Sequence, residues 1–187
     1  METSRVLDRV RAKAQERAKE ANGRVELASI YDAHAASLYR HLLTLLSDVE
    51  DAEDALQEVF VGLMRRGARS QIHDLRAYLF RAARNQALMV LRRRRNQERQ
   101  SAAARVCWID LDACAVQDRE MAVDITDALQ QLPLEQREVI ALKLGEDLTF
   151  VEIGKVLGVS PNTAASRYRL ALGRMRMLLE GGGEGRE

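Results

Sequence analysis

The chain has 187 residues, 47% of them hydrophobic, and a formal net charge of +1. This composition excludes a wholly disordered chain, and the length allows one ordinary domain or two small ones. We expect a cytoplasmic protein, because no run of about 18 uncharged apolar residues predicts a transmembrane helix and the charged residues 1–20 lack the apolar core of a signal peptide.

The first half is predicted to be an all-helical bundle. Apolar residues recur at helical spacing over residues 27–45. Ser47 and Asp48 then predict the end of this helix and the N-cap of the next one. Asp74 can cap a third helix, whose apolar pattern continues to about Leu91.

The second predicted helix has two different faces. Leu56 and Phe60 belong to its apolar face, whereas Asp51, Asp54 and Glu58 share another face. The apolar face predicts packing in a bundle, and the acidic face is available to a partner or to solvent.

The charges of the chain alternate in blocks. Residues 42–64 contain acidic residues but no Lys or Arg, whereas arginines dominate residues 65–99. Residues 108–135 are acidic again, and every charge within residues 153–179 is positive. This alternation is typical of a protein that contacts both a polyanion and a basic protein surface.

Three segments are predicted to lie outside the compact domains. Residues 1–24 form a polar N-terminal extension, residues 97–122 form a linker without a clean helical period, and residues 181–187 form a flexible tail. Cys107 and Cys114 fall in the linker at a spacing that does not indicate a zinc pair, so we interpret them as small thiols rather than redox or metal groups.

Residues 123–180 have the pattern of a helix-turn-helix preceded by two amphipathic helices. Thr149 and Glu152 form a capping box, Gly158 predicts a helix stop, and Ser160-Pro161 supplies the N-cap and first turn of the last helix. A helix, a short glycine turn and a second helix make up the helix-turn-helix arrangement. The residues of the last helix predicted to face inward are Ala164, Tyr168, Ala171, Leu172, Met175 and Leu179.

The start of the last helix has the side chains that a recognition helix needs. Such a helix enters the major groove by its N-terminal residues, where short polar groups and arginines contact base edges or phosphates. A solvated helix pair without a DNA role is the alternative interpretation. The candidate DNA-contacting residues are Ser160, Asn162, Thr163, Ser166, Arg167 and Arg169.

Two long stretches carry a family resemblance. DAEDALQEVF at residues 51–60, followed by a basic loop and by DLRAYLFRAARNQALMVLRRRRNQ, resembles region 2 of small sigma factors. LQQLPLEQREVIALKLGEDLTFVEIGKVLGVSPNTAASRYRLALGRMR resembles their region 4. Both the order and the spacing match, so the chain resembles the extracytoplasmic-function (ECF) subfamily of sigma-70 family RNA polymerase sigma factors.

The resemblance implies an all-α fold with two small helical domains joined by the flexible linker. Residues 25–96 would be the region 2 domain and residues 123–180 the region 4 domain. In this family the acidic helix of region 2 docks on the clamp helices of core RNA polymerase, and region 4 also binds the polymerase flap. The residues matching the core-binding helix are Asp51, Asp54, Gln57 and Glu58.

The resemblance also implies promoter recognition at two elements. Region 2 would bind the −10 element, with Asn85 at a base-reading place and Tyr78 either stacking on a base or packing in the core. The full matching set is Arg65, Arg66, Arg69, Arg76, Tyr78, Arg81, Arg84, Asn85, Arg92 and Arg93, with Arg94 and Arg95 continuing the phosphate-holding run. Region 4 would read the −35 element with the last helix. Ala165 and Leu170 stand where many relatives carry a basic residue, so the promoter sequence does not carry over.

No enzymatic constellation occurs in the sequence. The three histidines have no metal-ligand spacing, and His34 and His41 fall on the apolar side of a helix, which predicts core or boundary roles. No glycine-rich phosphate loop is present, and no serine has an evident base partner. We therefore expect no enzymatic activity, no catalytic residues, no cofactor and no metal site.

Two other functions are compatible with a helix-turn-helix. A stand-alone transcriptional repressor or activator would bind duplex DNA alone, usually as a dimer at palindromic sites. A serine recombinase would need predicted strands and a nucleophile, which the sequence lacks. The acidic helix favours the sigma factor, because a repressor has no need of it. Because family members are commonly held by an anti-sigma factor, we expect one as a partner, although the sequence does not identify it.

Overall fold

The computed structural model describes residues 24–66, 72–97 and 116–181, and the regular structure within them is entirely helical. This confirms the predicted all-α fold for the described residues. The chain divides into two compact units, Met1–Ala104 and Arg105–Glu187. The predictions for the N-terminal extension through residue 23, for Arg69 with residues 67–71, for both cysteines and for residues 182–187 lie outside the described residues.

The first unit is a bundle of three helices. They are α1 (Arg24–Leu46), α2 (Val49–Arg66) and α3 (Leu75–Gln97), and each packs against the other two. Every helix contributes a buried apolar stripe, as the 3.6-residue period requires. The largest fully buried side chains of this core are Leu38, Leu42, Leu45, Leu46, Leu56, Phe60, Leu79, Phe80 and His41.

The helix ends in this unit follow local capping rules. Ser47 has a positive φ of 53° and ends α1. The carboxylate of Asp48 then accepts a hydrogen bond of 3.0 Å from the Asp51 amide. Asp74 caps α3 in the same way, with 3.0 Å between its Oδ1 and the Ala77 amide. The two predicted N-caps are thus confirmed.

His41 is buried in the core of the first unit. Its ring meets Phe80 edge-on, with 5.4 Å between the ring centroids. Neither ring nitrogen has a hydrogen-bond partner among the described residues. Burial, and secondarily the positive charge of Arg84, lowers the pKa of His41 to about 4. The predicted core role of this histidine is therefore confirmed, and the ring is neutral at pH 7.

The second unit packs one long helix against three shorter ones. α4 (Val116–Gln131) and α5 (Leu134–Ile140) come first, and a π-helical turn (Ala141–Gly145) continues α5. α6 (Phe150–Leu157) and α7 (Pro161–Gly181) complete the unit, and α7 contacts α4, α5 and α6. α4 begins within the segment predicted as linker, since residues 116–122 are helical. Strong helix formers such as Glu120, Met121 and Ala122 account for this extension.

The buried face of α7 differs in part from the prediction. Ala164 and Ala171 are buried as expected, and Tyr168, Met175 and Leu178 pack against the core formed by Leu129, Leu132 and Ile140. Leu172 and Leu179, however, are 41% and 40% exposed, so their predicted inward orientation is wrong. A stripe with a period of 3.6 residues passes through positions 171, 175 and 178, which places Leu172 and Leu179 one position further around the helix.

Candidate nucleic-acid interface

The outer face of α2 is acidic, opposite the side that packs in the bundle. Glu50, Asp54 and Glu58 are exposed, and Gln57 between them is half-buried. Residue 54 is three or four positions from residues 50, 57 and 58, and the four therefore lie on one face of the helix. Glu50 was not among the predicted core-binding residues. Its position four residues before Asp54 could have indicated that it shares this face. We call Glu50, Asp54, Gln57 and Glu58 the acidic face.

Asp51 lies at the edge of the acidic face and is bound by Arg94 from α3. The Nε atom of Arg94 donates to Oδ2 of Asp51 at 2.7 Å, and Nη2 contacts the same oxygen. Nη1 donates to the Leu46 carbonyl at 2.8 Å, and Nη2 lies 3.4 Å from Asp48 Oδ2. One half-buried guanidinium therefore joins the end of α3 to the corner between α1 and α2. The expectation that Arg94 holds phosphate is not supported, because its donors are already used inside the protein.

We expect the Arg94→Met variant to lose about 2 kcal/mol of stability in the first unit, because the Leu46 carbonyl and the Asp51 carboxylate lose a charged donor. Native-state hydrogen exchange of the amides in α1–α3, measured in the full chain, checks this. Arg93→Met is the control, since Arg93 is an exposed neighbour. Equal protection of the two variants would contradict the role of Arg94.

The outer face of α3 is basic. Arg81, Asn85 and Arg92 are exposed, and their spacing places them on one side of the helix. Met89 lies between Asn85 and Arg92 on this side and is 53% exposed. Met89 was not among the predicted site residues, because a methionine in a helix is more often part of the core. We call Arg81, Asn85, Met89 and Arg92 the basic face.

The other arginines predicted to contact the −10 element differ in position and in exposure. Arg65 and Arg66 are exposed at the end of α2, Arg93 is exposed on α3, and Arg84 is half-buried. The guanidinium carbon of Arg66 lies 5.2 Å from the Tyr78 ring centroid, and that of exposed Arg76 lies 5.9 Å from the Phe80 centroid. Tyr78 is half-buried, and the Arg66 guanidinium lies over its ring. The ring therefore packs partly against the protein and remains partly exposed.

The helix-turn-helix is formed by α6, a glycine turn and α7. Thr149 and Glu152 make the predicted capping box at the start of α6. Gly158 ends α6 with a φ of 70°, a left-handed conformation that favours glycine. Ser160 then caps α7, since its Oγ accepts from the Thr163 amide at 3.0 Å. Each of these local predictions is confirmed.

The start of α7 exposes a polar tip. Asn162, Thr163, Ser166 and Arg169 are exposed, and Nη2 of Arg169 donates to Ser166 Oγ at 3.3 Å. The hydroxyl groups of Ser160 and Thr163 contact each other at 2.8 Å as part of the cap. Asn162, Ser166 and Arg169 are thus exposed members of the predicted set that lie outside the Ser160–Thr163 cap.

Arg167, also in the predicted set, has an internal partner. Its Nη2 lies 2.7 Å from Oε2 of Glu135 at the start of α5. Arg174 makes a similar contact, donating from Nη1 to Oε1 of Gln136 at 3.3 Å. The structure therefore brings Arg167 and Arg174 of α7 against α5, which no spacing rule could show.

Arg137 of α5 has a structural role that the sequence did not reveal. Nη2 of Arg137 donates to the carbonyls of Gln130 at 2.5 Å and Leu132 at 3.2 Å. Burial lowers the pKa of Arg137 from its ordinary value, but the side chain stays charged at neutral pH. Arg137 thus satisfies carbonyls at the end of α4 and fixes the turn into α5.

Comparisons with known proteins agree with this geometry. Residues 30–97 match the family model of sigma-70 region 2, and residues 122–175 match that of sigma-70 region 4. The ECF RNA polymerase sigma factor SigL of Mycobacterium tuberculosis is 30% identical over 168 residues, which cover 82% of this chain and 89% of SigL. The chain belongs to the ECF subfamily of sigma-70 family RNA polymerase sigma factors.

Other relatives and solved structures support the sigma factor fold. RNA polymerase sigma factor CarQ of Myxococcus xanthus is 28% identical over 151 residues, covering 80% of this chain and 87% of CarQ. The sigma factor RpoE of Bartonella quintana, solved with the anti-sigma factor NepR, gives a TM-score of 0.63 at 23% identity over 76% of this chain and 89% of RpoE. CnrH, solved with the cytosolic domain of CnrY, gives a TM-score of 0.65 at 20% identity. The match covers 92% of this chain and 96% of CnrH.

The region 2 match thus covers most of α1 with all of α2 and α3, and the region 4 match covers most of α4 and α7 with the helices between them. No group of three or more His, Cys, Asp or Glu arranged to hold a metal ion occurs in the described ranges. Within the same part of the chain, no helix is both long and apolar enough to cross a membrane.

Proposed function

We propose that this sigma factor binds core RNA polymerase through the acidic face of α2 and directs initiation at promoters through the basic face of α3 and the start of α7. The observation that carries the proposal is the separation of charge in region 2, where exposed carboxylates lie on one helix and exposed arginines on another. A helix-turn-helix in the second unit adds a second DNA-binding surface.

The acidic face suits a basic partner surface. Carboxylates that lie on one helical face can form charge-assisted hydrogen bonds to arginines of a partner, here the clamp helices of the polymerase. Asp54 and Glu58 are exposed for this role, and Gln57 lies between them. Asp51, which is bound to Arg94, would contribute mainly by holding the start of α2 in place.

The basic face suits the −10 element. Arg81 and Arg92 can each bind a phosphate, and Asn85 between them can hydrogen-bond a base edge. Met89 offers an apolar surface to an unstacked base, a use of methionine that is known in DNA-bending proteins. Arg65, Arg66, Arg76, Arg84 and Arg93 would extend the positive field around this face, and Tyr78 would offer its partly open ring.

The start of α7 suits the −35 element. A recognition helix presents its N-terminal residues to the major groove, and Asn162, Ser166 and Arg169 are exposed there. Ser160 and Thr163 would act mainly through the cap that holds the helix end, with backbone amides facing phosphate. Arg167 would join only after leaving Glu135.

Regulation by an anti-sigma factor is part of the proposal. RpoE and CnrH, two proteins with a similar fold, were each solved with a protein that binds them. We propose that a protein of this kind also holds the present chain, and that region 4 binds the polymerase flap once the chain is released.

Co-purification with core polymerase, followed by run-off transcription from a genomic fragment library, tests the proposal. We expect a stable complex and transcripts that start at sites sharing −35 and −10 sequences, which sequencing of the transcripts would define. Failure of the purified chain to bind core polymerase in the absence of any inhibitor would refute it.

Salt dependence tests the basic face. We expect the double variant Arg81→Gln with Arg92→Gln to bind promoter DNA more weakly in the holoenzyme and to lower the slope of log affinity against log salt by about two, because two phosphate contacts are lost. Fluorescence anisotropy across a salt series measures the slope. The control is Arg40→Gln with Arg176→Gln, which removes two exposed arginines outside the proposed DNA surfaces. An equal change in both double variants would contradict the assignment.

A further inference from the structure

Glu135 lies at the start of α5, outside the helix-turn-helix. Its carboxylate is 2.7 Å from the guanidinium of Arg167, and the adjacent Gln136 accepts from Arg174. Arg167 and Arg174 are seven residues apart and therefore share one stripe of α7. The start of α5 thus lies along the basic stripe of the recognition helix.

The two partners of this ion pair differ in exposure. The side chain of Arg167 is 23% exposed, whereas that of Glu135 is 63% exposed. Arg169, two positions further on, is exposed, and its guanidinium donates to the hydroxyl group of Ser166. The guanidinium of Arg167 is therefore held against α5. The Glu135 carboxylate that binds it is exposed to solvent, where a DNA phosphate could approach.

We propose that Glu135 is a specificity-determining residue of the upstream-element interface, because it competes with DNA phosphate for Arg167. This inference rests on the proposed DNA-binding function of α7. Duplex DNA gains Arg167 only by displacing this carboxylate from the guanidinium. Non-specific binding is almost entirely electrostatic, so it is suppressed more than specific binding, to which base contacts from Asn162 and Arg169 also contribute.

The experiment compares two carboxylate-to-amide variants of the full chain, each assembled with core polymerase. Glu135→Gln removes the competitor. Glu180→Gln is the matched control, because Glu180 also pairs with an arginine at 2.7 Å, is 64% exposed, and lies on α7 about 20 Å from Arg167. The probes are a random-sequence duplex and a duplex with the upstream element found by transcript mapping.

We expect Glu135→Gln to bind the random duplex about fivefold more tightly, with a salt slope steeper by about one counterion. The gain on the specific duplex should be smaller, so the ratio of the two affinities falls. Glu180→Gln should match the wild type on both duplexes. Circular dichroism melting of both variants checks that the helices are retained.

A double-mutant cycle with Arg167→Gln tests whether Glu135 affects DNA binding through Arg167. If Glu135 acts through Arg167, the gain from Glu135→Gln disappears in the Arg167→Gln background. Three results would overturn the inference. They are an increase in affinity that persists in the Arg167→Gln background, an equal increase on both duplexes, and equal affinities of Glu135→Gln and Glu180→Gln. Failure of the wild type to initiate at promoters would instead refute the proposed function, since the random-duplex cycle measures phosphate binding without a promoter.

Discussion

Replacing Asp54 with arginine and Gln57 with alanine is expected to weaken binding to core polymerase about 100-fold. The change places a guanidinium where a carboxylate would meet basic residues of the partner, so an attraction is lost and a like-charge repulsion is added. Asp54 is exposed and Gln57 is half-buried, so the core of the bundle, formed by residues such as Leu56 and Phe60 on the opposite side of α2, stays intact.

Binding to immobilised core polymerase measures the effect, and circular dichroism shows whether the helices are retained. Asp32→Arg is the matched control, because it reverses the same charge at an exposed position of a different helix, α1. We expect this control to bind like the wild type. Undiminished affinity of the double variant would show that the acidic face is an ordinary solvated surface.

The second large effect is expected on stability in acid, and it arises from His41. Burial lowers the pKa of this histidine to about 4, compared with an ordinary value of 6.5. The unfolded chain therefore takes up a proton at a higher pH than the folded chain, and stability is lost as the pH falls from about 6.5 towards 4. The loss attributable to His41 is about 3 kcal/mol between pH 7 and pH 4.

His41→Leu isolates this contribution from that of the carboxylates. At pH 7 the variant should be at least as stable as the wild type, because leucine removes two ring nitrogens that lack partners among the described residues. The stability difference in favour of the variant should then grow by about 3 kcal/mol on acidification to pH 4. Hydrogen exchange of the slowest amides in α1–α3 measures it in the full chain, and parallel pH profiles of the two proteins would contradict the assignment to His41.

Local chemistry explains why so much of the fold could be predicted. The caps at Asp48, Asp74, Thr149 and Ser160 depend on side chains within three residues of the amides they bind, so the sequence pattern contains both partners. The same holds for the stop at Gly158, which reflects the conformational freedom of a single residue. Periodicity was less reliable at Leu172 and Leu179, because a helix with many leucines admits two neighbouring apolar stripes.

The candidate surfaces could be predicted in outline for a related reason. Exposed charge at Asp54, Glu58, Arg81 and Arg92 follows from helical spacing relative to the apolar stripe. Met89 was missed because an apolar residue on the exposed side of a helix cannot be recognised until the packed side is known.

The sequence by itself determined where the capped helices begin, most of the apolar, acidic and basic faces, and the family to which the motifs point. Only the tertiary structure decided which charges remain available to partners. Arg94 binds Asp51 across 43 residues of chain, and Arg167 binds Glu135 from a different helix. The physical reason is distance: spacing along a helix relates residues a few positions apart, whereas an ion pair between helices exists only once packing has brought its two ends together.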